Sequence, residues 1–133
     1  MRSFLISLFC FFIFFNGYAQ SQVITGNDLI SACNGLSGEQ QGFCLAYVIG
    51  VTEGIRFGAG YSVYASGVKE AKDVNSFSDH LLRYCIDENV TSAQNVDVVR
   101  KYLLENPHER HFPARLLVLQ AYQRYYPCRT QWQ

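Results

Sequence analysis

The densest run of reactive side chains in this sequence is His108-Glu109-Arg110-His111. Two imidazoles three residues apart share a face if helical, and with a carboxylate between them they could hold a metal ion. Here they stand in a turn between Pro107 and Pro113, where capping and ion pairing suit them better. Glu53 is a lone carboxylate on a glycine-rich stretch. It is expected near the core, paired with an arginine such as Arg56 or Arg115, and not poised as a general base. Asn89-Val90-Thr91 fits a glycosylation acceptor, but Thr91 is also placed to cap a helix. The sequence has no phosphate-binding loop, no GxSxG elbow and no HExxH pair. Enzymes need converging acid, base or nucleophile groups. Nothing here converges in sequence, so the expectation is a protein without catalytic residues, metal or cofactor.

Cysteine is the other reactive type, and its use depends on compartment. Met1-Arg2-Ser3 gives a short positive start, and Phe4–Phe15 is almost wholly apolar. Gly17 and Ala19 supply the small residues of a cleavage site. This is the layout of a secretory signal peptide over residues 1–19, cut between Ala19 and Gln20. The apolar run falls short of the ~20 residues a spanning helix needs, so no membrane anchor is expected after cleavage. Cys10 leaves with the leader. Cys33, Cys44, Cys85 and Cys128 remain, an even set in an exported chain, which reads as two disulfides. No CxxC pair exists to suggest zinc or redox chemistry.

Composition agrees with one exported domain over residues 20–133. The whole chain has 133 residues and zero formal net charge. That balance argues against a nucleic-acid partner, which calls for a basic surplus. Six of the ten phenylalanines fall in the leader, so the domain itself is only moderately apolar.

The elements that must position these residues are helices. Thr25 and Asp28, Ser37 and Gln40, and Thr91 and Gln94 each have capping-box spacing. The first opens a short helix with Leu29, Ile30 and Cys33 on one side, stopped at Gly35. The second opens a helix reaching about Gly58, with Phe43, Tyr47 and Val51 recurring every four residues. A further row, Gly42, Ala46, Gly50, Gly54 and Gly58, is costly in a helix at ~1 kcal/mol per glycine. It makes sense where another backbone packs closely; otherwise the helix breaks early. Residues 59–75 carry no clean period and read as a long loop, and Ser76 to Asp79 caps a short helix reaching Tyr84. The third capping box opens a helix with Val96, Val99 and Leu103 on one face, ended by Asn106-Pro107. Pro113 starts the last helix, whose apolar side is Leu116, Leu117, Leu119 and Ala121, continued by Tyr122, Tyr125 and Tyr126. The fold class is therefore all-α, a disulfide-stapled bundle of about four to five helices with a long loop at about 59–75.

The helix order also suggests the disulfides. The connection from Asn106 to Phe112 is short, so the last two helices should be antiparallel neighbours. That brings Cys128 beside Cys85, and Cys33 and Cys44 flank another short turn. The expected pairs are Cys33–Cys44 and Cys85–Cys128. Tyr61, Tyr64, Tyr122, Tyr125, Tyr126 and Trp132 exceed the obvious needs of one small core, and tyrosine favours protein interfaces.

An ordered set of short segments resembles one family. Cys33, Cys44-Leu45-Ala46-Tyr47-Val48-Ile49-Gly50-Val51, Cys85-Ile86 and Val90-Thr91-Ser92-Ala93-Gln94 fit its pattern. So do Lys101-Tyr102-Leu103, Asn106-Pro107, Phe112-Pro113-Ala114 and Tyr126-Pro127-Cys128. Together they look like the Rap/Tai family of type VI secretion immunity proteins. Residues 59–80 match nothing in the pattern, and Asp87 replaces a proline. The resemblance implies a small helical, disulfide-bonded periplasmic protein, often a homodimer, that plugs the cleft of a peptidoglycan amidase effector. On that reading the partner-binding candidates are Tyr61 and Tyr64 in the long loop, then the turn with His108, Glu109 and Arg110. Rival readings are a periplasmic acid-stress chaperone, a family member with an unrelated envelope partner, and a small cell-envelope enzyme. Acid switching would fall largely on carboxylates, because the chain has three histidines.

Overall fold

The computed structural model describes residues 22–128. The leader at 1–19, Cys10 and Trp132 lie outside the described residues. The helices are α1 (Gly26–Cys33), α2 (Gly38–Ala65), α3 (Ala71–Leu82), α4 (Ser92–Glu105) and α5 (Ala114–Tyr125), with a 3-10 turn at Pro107–Glu109 before α5. Among the described residues there is no strand, only an isolated bridge between Thr25 and Pro113. The protein is all-α.

Three helices start where side chains replace missing backbone partners. Thr25 with Asp28, Ser37 with Gln40 and Thr91 with Gln94 each form a two-way capping box. Each box satisfies two of the four N–H groups a helix start leaves free. At Thr25 the hydroxyl and the backbone N–H both donate to Asp28, holding its carboxyl below the usual range.

The core is organised around α5. Ala114, Leu117, Val118, Ala121 and Tyr122 are fully buried on one face. They share a cluster with Leu29 of α1, Cys44 and Val48 of α2, and Val99 and Leu103 of α4. Tyr84 is also fully buried, its ring edge-on to Tyr122 at 5.3 Å between centroids. The Thr52 hydroxyl donates to the Val48 carbonyl at 2.7 Å, so the Tyr122 hydroxyl is the donor in its 2.8 Å bond with Thr52. A buried phenol thus finds its partner on the neighbouring helix, as burial requires.

Cys33 is bonded to Cys44 across the α1–α2 turn, and Cys85 to Cys128. The second bond fastens the chain beyond α5 to the segment after α3. Two hydrogen bonds run beside it: the Cys85 N–H to the Tyr126 carbonyl at 2.8 Å, and the Gln123 amide to the Leu82 carbonyl at 2.9 Å.

The long loop expected at 59–75 is not there. α2 continues through Gly58 to Ala65, and the connection is only residues 66–70 before α3 begins at Ala71, ahead of the expected start at Ser76. The reason is packing. α3 lies along the second half of α2, and a Cβ on Gly60 would sit 3.7 Å from Val74 and 3.8 Å from Ser78. The periodicity of α3 was hard to read because Ser78 is buried while Phe77 and Leu81 are exposed. A Cβ at Gly42, Gly50, Gly54 or Gly58 would meet nothing within 4 Å among the described residues, and the helix does not break either. Close approach falls instead at Gly26, where a Cβ would come within 2.4 Å of Leu117 and 3.0 Å of the Arg110 backbone.

Two stability predictions follow from this arrangement. The Cys85–Cys128 bond closes 43 residues and Cys33–Cys44 closes 11. By loop-closure entropy their losses should cost about 4 and about 3 kcal/mol. Urea unfolding of Cys85→Ala with Cys128→Ala, against Cys33→Ala with Cys44→Ala, checks the order. Burial pushes the Tyr84 and Tyr122 hydroxyls up to about 12. The unfolded chain then loses these protons first, near pH 10, so stability should be intact below pH 10 and fall between 10 and 12. Denaturant midpoints across that range test the sign; a rise would contradict it.

Candidate functional site

The turn from Asn106 to Pro113 is held from two sides. On its inner side Arg110 Nε donates to the Leu103 carbonyl at 2.6 Å, and a guanidinium NH2 reaches the Leu104 carbonyl at 3.4 Å. These carbonyls belong to the last turn of α4, where a helix leaves acceptors unpaired and favours a cation. The Tyr102 hydroxyl donates to Glu109 at 2.6 Å, and burial together with that bond pushes Tyr102 up to about 12. On its other side the backbone is stitched to α1. The Gly26 N–H donates to the Phe112 carbonyl at 3.0 Å and the Asn27 N–H to the Arg110 carbonyl at 2.9 Å. Ala114 N–H closes the set on the Ile24 carbonyl at 2.8 Å.

Sequence reasoning grouped His108, Glu109 and Arg110 as partner-binding residues. The structure separates them. Glu109 and Arg110 are engaged in holding α4 and the turn together. His108 has 74 % of its side chain exposed, 3.8 Å from Glu109. His111 and Phe112, both exposed, pack with ring centroids 4.1 Å apart and planes tilted by 40°. Within the turn His108, His111 and Phe112 are exposed, on a backbone hydrogen-bonded to α1.

Tyr61 and Tyr64 are exposed, but on the last turns of α2 and not in a loop. Tyr61 stacks on Phe57 at 6.3 Å between centroids, and Lys69 Nζ lies 3.7 Å over the Tyr64 ring while donating to the Tyr64 carbonyl. Phe57 is 76 % exposed. Phe77 and Leu81 of α3 are exposed as well, and periodicity gave no sign of these three. Glu53 is exposed, contrary to expectation, and Arg56 faces Asp79 at 4.0 Å instead. Burial raises the Asp79 carboxyl above its ordinary range, against the pull of Arg56.

A recess of about 910 Å³ lies between the ends of α3 and α5, with His80, Asp87 and Tyr125 among its lining residues. Asp87 is occupied by the Asn89 backbone N–H and side-chain amide at 2.9 and 2.8 Å, which hold it low. The Tyr125 hydroxyl is bonded to Glu105. Among the described residues no three His, Cys, Asp or Glu groups gather as metal ligands. No described helix is long and apolar enough to cross a membrane.

A family model described as Rap1a immunity proteins matches residues 25–128. Comparison with curated proteins and with solved structures finds no match.

The division within the turn can be measured. Arg110→Ala removes two donors from α4 carbonyls and should destabilise by about 1–2 kcal/mol. His108→Ala should stay within about 0.5 kcal/mol of the parent. Chemical unfolding of the two variants decides it, and equal losses would undo the assignment.

Proposed function

This chain belongs to the family of Rap1a immunity proteins, and from that premise we propose a periplasmic inhibitor that occludes the cleft of a type VI secretion peptidoglycan amidase effector. Membership makes it an immunity protein with a secreted protein effector as partner. The amidase, the periplasm, the leader that would deliver the chain there and the homodimer are parts of the proposal. The observation that carries it is the family match across residues 25–128.

Steric occlusion suits the geometry of the turn at residues 106–113. An element that enters a cleft binds better when it loses little freedom on entry. This turn is fixed before contact by α1 and by Arg110, and it presents an aromatic pair and an imidazole. Tyr61 and Tyr64 do not form an inserting loop, because they ride on a helix packed against α3. The role of the inserting element therefore passes to His108, His111 and Phe112. Two disulfides protect the framework where the compartment is oxidising.

The test is titration of the oxidised mature protein into amidase effectors, following amide cleavage. One effector should be inhibited stoichiometrically. His108→Ala with Phe112→Ala should weaken that inhibition by roughly tenfold or more, about 1.4 kcal/mol. An untouched panel of amidases removes the amidase reading. Full inhibition by the double variant removes the turn from the contact.

A further inference from the structure

We propose that the two disulfides differ in kind: Cys85–Cys128 is a site of thiol–disulfide exchange, opened in the folded protein by a dithiol reductant, and Cys33–Cys44 is a fixed staple. The proposal does not depend on the amidase reading.

The fold treats the two bonds differently. Cys33 and Cys44 are 7 % and 2 % exposed and belong to the core cluster with Leu29 and Val48. Exchange requires a thiolate to reach one of the two sulfurs. At Cys33–Cys44 that approach is closed while α1 and α2 stay packed. Cys85 is exposed and Cys128 half-buried, and both line the recess between the ends of α3 and α5. Access governs the rate of exchange, so it separates the two bonds.

The surroundings of Cys128 add a second argument. Its sulfur lies 3.8 Å from the Asp79 carbonyl. That carbonyl is in the last turn of α3, where a helix leaves acceptors without an intrahelical partner. A disulfide sulfur has no hydrogen to give it, whereas a thiol has. Opening the bond thus creates a donor beside an acceptor already in place. A contact made only by the reduced form favours reduction.

The step balances as an exchange between dithiol and disulfide. One thiolate of the reductant attacks the Cys85 sulfur and forms a mixed disulfide. The bond to Cys128 breaks, and Cys128 leaves as a thiolate that takes up a proton and becomes the thiol facing Asp79. The second thiol of the reductant loses its proton, attacks the reductant sulfur of the mixed disulfide and releases the Cys85 thiolate. Two electrons pass to the protein, and the dithiol becomes a disulfide.

The opened chain keeps its shape. Tyr84, next to Cys85, has no exposure, and its ring meets Tyr122. The bonds from the Cys85 N–H to the Tyr126 carbonyl and from the Gln123 amide to the Leu82 carbonyl need no disulfide. Together they hold the segment after α3 against α5. What is lost is the constraint on the unfolded chain. The redox state of the surroundings then sets how readily the protein unfolds without changing its fold.

Dithiothreitol without denaturant is the probe. Samples of the full oxidised protein are alkylated at intervals and mapped. Cys85 and Cys128 should be labelled roughly tenfold or more faster than Cys33 and Cys44. Their rate should be linear in dithiothreitol, with circular dichroism retained and the urea midpoint lowered. In urea beyond the transition the two bonds should open at similar rates, because burial no longer separates them. Equal, reversed or absent labelling in the folded protein overturns the proposal. So does a rate that levels off at the rate of global unfolding, or loss of the helical signal as the 85–128 bond opens. A preference for 85–128 that persists undiminished in urea would take the difference away from the fold and overturn the argument from burial.

Discussion

The fold depends on burying one face of α5. Leu117, Val118, Ala121 and Tyr122 have no exposure, and three other helices must come to them. α1 supplies Leu29, α2 supplies Val48 and α4 supplies Val99 and Leu103. Tyr122 sets a stricter condition than the aliphatics, because its hydroxyl must leave water with a partner. Thr52 is that partner, and Thr52 also returns a bond to its own helix. α2 is thereby placed against α5 at a defined register, not merely in apolar contact.

Much of the rest follows from that placement. With α5 in the centre, its start must meet α1, and it does so through backbone bonds that leave no room for a side chain at Gly26. The same bonds brace the turn between α4 and α5. The end of α5 must return towards the segment after α3, and the Cys85–Cys128 bond makes that return covalent. The turn is therefore held by the same contacts that close the core.

One face differs from the rest of the described residues. The outer face of α2 is apolar and glycine-lined, and no described helix covers it. Along its 28 residues, ~42 Å, the inner side is committed to α1, α3, α4 and α5. The inner face makes the monomer. Polar groups divide by their use. Glu109, Arg110, Asp87 and Tyr125 are used by the fold, while His108 and His111 are left to solvent.

The sequence determined what short-range physics determines. Capping boxes marked three helix starts, because cap chemistry lies within four residues. Prolines marked the ends near Asn106 and Tyr126, for equally local reasons. The short connections made neighbours of the helices that carry Cys33 and Cys44, and of the segments before α4 and after α5 that carry Cys85 and Cys128. Motif order was enough to point to the family. Tertiary structure decided the rest. Residues 59–65 became helix because α3 lies against Gly60, a contact no local period announces. Arg110 became a cap for α4 and Glu109 a partner for Tyr102, which required the turn to fold back over the end of α4. In sequence the glycine row called for a close backbone neighbour without saying whether it lay within the chain or on another copy. Only the packed chain shows it facing outward, because helical period fixes which residues share a face but not what that face meets.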